Sequence, residues 1–323
     1  MSATQGLSRV AELVAQLLRD DDRRVLLGED VADGGMLGLS REAISDAGLR
    51  GRILSTPLTP AVSAAHAAGL AAAGRHPIVL LPDVAALIEG LAGLREAAAW
   101  SWRNEGEVSV PVCWLAPCGP GLGMGGHAGE AAASILTQVP GLTVMCAGRP
   151  DDVEAWVRAA VEHSASAGPT VLLLPRRILL STTSKSPESD LGHPPTAAHR
   201  VRDGAAVTVF AWGEALPVAL AAVDLSGIEA AVVDVGCLSP LDLSSLEDEA
   251  RATGRLVIVH AGPGVGGVGA ELAARFADSA ILHLDAPVVR VSGDAPPLSP
   301  SDEVAAIPRV ERVADAITRI ASY

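Results

Sequence analysis

Aromatic side chains are nearly missing: Phe, Tyr and Trp together make up 2% of the 323 residues. The cores must therefore be assembled from Ala, Val and Leu. Basic charge is also scarce. The formal net charge is −14, and the only dense basic spots are Arg23-Arg24, read as a helix end, and Arg176-Arg177, read as a strand end. A nucleic-acid partner, which needs clustered Lys and Arg, is excluded. No stretch approaches the ~20 apolar residues of a membrane span, because Gly, Pro and charges break every run. Met1–Leu7 has neither a basic start nor an apolar run, so no signal peptide is expected. The four cysteines, Cys113, Cys118, Cys146 and Cys237, are scattered, which points to reduced thiols and a cytoplasmic setting. Cys113 and Cys118 have no second close pair with which to share a zinc ion. A G-x-S-x-G elbow is missing, which leaves a hydrolase triad unsupported.

What is present is alternation. Leu7, Val10, Leu13, Val14, Leu17 and Leu18 recur at helical spacing and predict an opening helix over roughly Gly6–Arg19. "RRVLLGEDV" reads as a buried strand ending in acids, and "LSREAISDAG" as a helix stopped by Gly48. In "STPLTPAVSAAHAAGLAAAG", Thr59 is suited to cap a helix that Pro60 begins. The strand "HPIVLLPD" is followed by one long helix, "ALIEGLAGLREAAAWSWRN", then the strand "SVPVCWLAP" and the glycine loop "GPGLGMGGHAGE". A helix "AAASILTQVPG", a strand "LTVMCAG", a helix opened by Asp151-Asp152 and a strand "PTVLLLPRR" close this block. Ser181–His199 is rich in Ser, Pro and Thr without periodicity and reads as a linker. Strands and helices then alternate again, with "AILHLD" among the strands. The pattern predicts two α/β domains with mostly parallel sheets, 1–182 and 201–323, joined by a linker over 183–200.

Several residues could carry chemistry. Gly262, Gly264 and Gly267 form G-x-G-x-x-G between a strand and a helix, with Asp285 ending the next strand, as a dinucleotide fingerprint requires. Too little chain follows to complete a nucleotide-binding sheet, and a packing turn is the competing reading. His127 and Glu130 lie in the glycine loop, where a histidine could exchange protons near neutral pH; a solvated loop histidine is the alternative. Glu29 and Asp30 end a strand, either as site acids or as a turn-forming pair. His66 sits in an Ala-rich helix, where packing is the simpler role.

Taken in order, the stretches "LLGEDVADGGMLGLS", "ILSTPLTPAVSAAHAAGLAAAGRHPIV", "GLGMGGHAGE", "QVPGLTVMCAGRPDDVEAW", "GCLSPLDLSSL" and "GRLVIVHAGPGVGGVGAELAA" resemble the β subunit of the E1 component of 2-oxo-acid dehydrogenases. This transketolase-like family acts on pyruvate, branched-chain oxo acids or acetoin. The resemblance implies two doubly wound domains, one pyrimidine-binding and one of the transketolase C-terminal type. It implies an α2β2 assembly with an α-like chain, self-association through the β chain and recruitment to an E2 core. Thiamine diphosphate with Mg²⁺ would be held mainly by the α chain, whose GDG-type motif this chain lacks. The glycine turn at Gly262 would then be structural.

By the same resemblance, Glu29 matches a retained strand-end acid, His127 the active-site loop histidine and Gln138 a second family histidine. Asp152 matches an acid that helps bind a structural K⁺. Two positions depart from the family. Pro60 stands where the family has the glutamate that activates the pyrimidine ring, and Ala85 where it has an aromatic platform. Three readings follow: an E1β-like subunit with lost or altered thiamine chemistry; an active thiamine-dependent enzyme using another group, with His66 or His127 as candidates; and a nucleotide-binding oxidoreductase through Gly262.

Overall fold

The computed structural model describes residues 5–103, 110–125, 132–181, 190–294 and 299–323. Its first half runs α1 (Gln5–Asp20), β1 (Arg24–Glu29), α2 (Arg41–Ser45), β2 (Ile53–Thr56), α3 (Pro60–Ala72), β3 (His76–Leu80), α4 (Val84–Glu89), α5 (Leu91–Arg103), β4 (Cys113–Cys118), α6 (Ala133–Leu136), β5 (Thr143–Cys146), α7 (Val153–Ala167), β6 (Thr170–Pro175) and α8 (Arg176–Leu180). The second half runs β7 (His199–Arg202), β8 (Val207–Ala211), α9 (Ala215–Ser226), β9 (Ala230–Asp234), β10 (Cys237–Ser239), α10 (Leu243–Thr253), β11 (Leu256–Val259), α11 (Val268–Ser279), β12 (Val289–Val291) and α12 (Val310–Ala321).

A seven-stranded sheet is ordered β10-β5-β6-β4-β3-β1-β2, and a five-stranded one β12-β11-β8-β9-β7. Pairing is parallel except for β10 on β5 and β7 on β9. Strands buried on both faces read as continuous apolar runs. In β6, Val171 and Leu173 join the core beneath α3 to α5, while Leu172 and Leu174 join the core beneath α1 and α7. In β8, Val207, Val209 and Ala211 face α9 and α12, and Phe210 faces the opposite core. That opposite core is continuous between the halves: it holds Ala116 and Leu173 together with Trp212, Leu246 and Phe276.

Four expectations change. "AILHLD" is no strand but a 3₁₀ turn, Ile281–His283. The long helix after β3 is two, α4 and α5, divided at Gly90. A Cβ on Gly90, which caps α4, would lie 3.1 Å from the Ala86 carbonyl oxygen of its own helix and 3.2 Å from that of Pro60 at the head of α3, a tight approach that would make its neighbours give way. Thr59 makes no side-chain cap; its carbonyl accepts from Val62 and Ser63 instead. The Gly48 stop lies beyond α2, which is only five residues long. Strands β2, β7 and β10 were not legible in the apolar pattern, being short edge strands or half exposed.

Candidate functional site

The first sheet reverses its winding at β1. The chain moves from β1 to β2 on one side, then returns to place β3 on the other. Such a switch point leaves a crevice at the carboxyl ends of the strands. Glu29 is the last residue of β1 and pairs in register with Thr56 of β2. Asp30, next along, takes φ 52°, the left-handed region that Asp tolerates better than most residues, and turns the chain off the sheet. Gly28 has φ 155°, and a Cβ there would lie 2.2 Å from the Leu80 carbonyl oxygen of β3, so only glycine lets these strands approach.

Pro60 is the first residue of α3 and is buried. Ala85 is in the first turn of α4 and also buried. Asp83 caps that helix, its Oδ1 accepting from the Ala86 N–H at 3.1 Å. Ser63 Oγ donates to Thr56 Oγ1 at 2.8 Å, tying α3 to the end of β2. The topology therefore gathers Glu29, Pro60 and Ala85 around one strand end.

The electrostatics there are one-sided. Burial pushes the Glu29 carboxyl up from its ordinary value, and the neighbouring acids Asp30, Asp83 and Glu89 push it the same way. Its Oε2 is buried without a hydrogen-bond partner. Pro60 and Ala85 bring no donor or acceptor on their side chains. Beside them Leu58 is 81% and Val62 53% exposed, an apolar margin at the start of α3.

His66 is exposed on the outer face of α3. His127 and Glu130 lie outside the described residues. The loop leading toward them is anchored by a residue that sequence reasoning missed. Glu303, in the 3₁₀ turn Glu303–Ala306, is buried and receives the backbone N–H of Gly121 (2.9 Å), Gly123 (3.1 Å) and Gly125 (2.6 Å). Burial alone would raise this carboxyl, but the amides of Gly121, Gly125, Gly123 and Met124 outweigh it and hold it below its ordinary value. The alternate glycines, at φ 141°, 64° and 61°, were the visible signal; the acid they bind is about 180 positions away. Gln138, just past α6, faces the seam between the halves rather than the Glu29 crevice.

Asp152 lies elsewhere, at the start of α7. Its Oδ2 accepts from Arg149 Nε at 2.9 Å and its Oδ1 from the Arg149 N–H at 3.3 Å. Burial pushes it up to about 6 against the pull of Arg149. Asp234, at the end of β9, is pushed up to about 8 by burial and by Asp152. Among the described residues no group of three His, Cys, Asp or Glu side chains is arranged for a metal ion. The four cysteines are free and buried.

The glycine turn between β11 and α11 is engaged by its surroundings. The Gly262 N–H donates to Ala306 O at 2.8 Å, Gly264 O accepts from Arg290 Nη1 at 2.7 Å, and Gly267 precedes α11. No helix among the described residues is long and apolar enough to cross a membrane.

Comparison with known proteins places this geometry. Residues 7–181 match the transketolase pyrimidine-binding domain and residues 196–313 the transketolase C-terminal domain. The chain is 30% identical to the 2-oxoisovalerate dehydrogenase subunit beta of Pseudomonas aeruginosa, covering 99% of this chain and 95% of that one. It is 31% identical to the pyruvate dehydrogenase E1 component subunit beta of Leifsonia xyli subsp. xyli, covering 99% and 96%. Among solved structures, a split-gene transketolase described as an inactive beta4 tetramer superposes with TM-score 0.70 at 21% identity, covering 100% and 98%. Transketolase from Leishmania mexicana gives the same TM-score at 18% identity, over 98% of this chain and 45% of that one. These two likenesses show the fold.

Proposed function

The chain belongs to the transketolase-like family of E1 β subunits of 2-oxo-acid dehydrogenases, and from that premise we propose that it serves as the β-type partner of an α-type chain with lost or altered thiamine activation. The observation that carries the reading is Pro60, buried at the head of α3 beside the switch-point strand. The family is one of thiamine-diphosphate-dependent enzymes. A pyrimidine ring lying against Pro60 meets no donor or acceptor on that side chain. It loses a hydrogen bond to a charged group, a contact typically worth ~1.5–3 kcal/mol. Ala85 offers a methyl group where stacking on a ring would add ~0.5–1.5 kcal/mol. These two residues do not fit the ring.

A second reading, thiamine chemistry through a different group, is favoured by one observation. Glu29 holds a buried, unpartnered Oε2 at the same strand end. His66, exposed one turn beyond Val62 on the same face of α3, is a candidate for that group, as is His127. The assembly we propose is α2β2 with self-association through the β chain and an E2 core as a further partner. The exposed Leu58 and Val62 beside the crevice suit a covered surface. Beside Asp152 the positive charge that a K⁺ would bring is carried by Arg149. The domain limits 1–182 and 201–323, the linker 183–200 and a cytoplasmic location belong to the same proposal.

The test is a calorimetric titration of the reconstituted α/β pair with thiamine diphosphate and Mg²⁺. Weak or absent binding is expected, and Pro60→Glu with Ala85→Phe should tighten it by roughly tenfold or more. Tight wild-type binding with turnover of any 2-oxo acid would overturn the lost-activation reading.

A further inference from the structure

The second sheet ends in an open edge. Strand β12 is its terminal strand and pairs with β11 alone. The Val291 carbonyl accepts from the His260 N–H, just past β11, at 3.1 Å, so Val291 faces β11. Backbone groups alternate sides along a strand, which turns the N–H and C=O of Arg290 outward. Among the described residues neither of these groups has a hydrogen-bond partner. Ser292, two residues on, faces outward as well, and its carbonyl accepts from Arg312 Nη1 of α12 at 2.9 Å. Between this edge and α12 runs a cleft of about 370 Å³.

The cleft is basic. Arg290, Arg312 and Arg319 line it with one acid, Asp315. Arg290 Nη1 donates to the Gly264 carbonyl at 2.7 Å, a neutral acceptor. Arg312 also pairs with Asp294, an acid it shares with Arg309. Arg319 is exposed in the last turn of α12, and among the described residues no carboxylate pairs with it. The chain as a whole carries −14, so this local surplus of positive charge runs against it. Half-buried Val289 supplies an apolar wall. Arginines on an edge discourage pairing between like edges, because two copies would set arginine against arginine. The same charges admit a strand that carries carboxylates.

We propose that the β12 edge is a docking site for an extended acidic segment of a partner protein, which adds a further strand to the second sheet. The backbone of that segment pairs with the outward N–H and C=O of Arg290, and its carboxylates lie along Arg290, Arg312 and Arg319. The surface belongs to the second sheet and is independent of any chemistry at Pro60.

The probe is a short fluorescein-labelled peptide of alternating Glu and Val, titrated with the full-length chain and followed by fluorescence anisotropy. Saturable binding is expected. A peptide with Lys in place of Glu should bind roughly tenfold more weakly or worse. So should the Glu peptide N-methylated at every backbone amide, which keeps its carboxylates and loses its ladder donors. Arg319→Glu should weaken binding by roughly tenfold with the melting temperature unchanged. Arg95→Glu, the same charge change at an exposed position of α5, should leave the affinity as it is. Equal affinity for the Glu and Lys peptides overturns the proposal. Equal affinity for the methylated peptide overturns it too, since charge alone then suffices. Undiminished binding to Arg319→Glu, an equal loss with Arg95→Glu, or no saturable binding has the same consequence. Should Arg319→Glu fail to fold, the three peptides decide.

Discussion

Pro60 serves folding at the head of α3, and under the proposed function it offers the pyrimidine ring no hydrogen bond. At the first helical position its missing N–H leaves no bond unmade, and its ring fixes φ before folding begins. Replacing it by Ala should cost about 0.4–1 kcal/mol of stability, chiefly by loosening the unfolded chain, as read from urea denaturation. Glu29, one strand over, carries the opposite balance. Its folded carboxyl is raised above its ordinary value, so the native state holds the proton more tightly than the unfolded chain. Its effect on stability is therefore most favourable at low pH and declines as pH rises through the raised value. Glu29→Gln should accordingly gain stability over the wild type at pH 8 and match it near pH 4. Thermal melts across that range check the sign.

Two close approaches between elements set the positions of the site. Helices α3 and α5 meet at Gly93, where an added Cβ would lie 2.6 Å from the Ala64 Cβ and 3.2 Å from the Ala65 nitrogen. Gly93→Val should destabilise by about 1–3 kcal/mol and displace the start of α3, measured by denaturation. The second approach joins the glycine loop after β4 to the turn at Glu303. The carboxylate is held by three backbone amides, so it acts as a charged acceptor in place of solvent. Its pKa is lowered, so its stabilisation is present above the ordinary value and fades as pH falls below it. Glu303→Gln should lose about 1–3 kcal/mol at pH 7, and the gap to wild type should close toward pH 3 in urea melts.

At the scale of the whole molecule the two halves share one fabric. Strand β10 comes from the second half yet pairs antiparallel with β5 of the first sheet, and one apolar core passes through both. Calorimetry should therefore show a single unfolding transition, and residues 1–182 expressed alone should melt lower than the full chain; two independent transitions would contradict this coupling. The sequence by itself determined the α/β class, the helices α1, α7 and α12 with their apolar stripes, and the buried strands β6, β8 and β11. Those features are local: a helical or unbroken apolar period reports burial within a few residues. Only the tertiary structure decided that Gly90 divides a helix, that β10 crosses between sheets and that Glu303 answers the glycine loop. It also decided that Arg312 of α12 reaches the open edge of β12 at Ser292. Each of these depends on groups distant in the chain meeting within a few ångströms, and strand order and crossover direction set that meeting, leaving no period in the sequence to read.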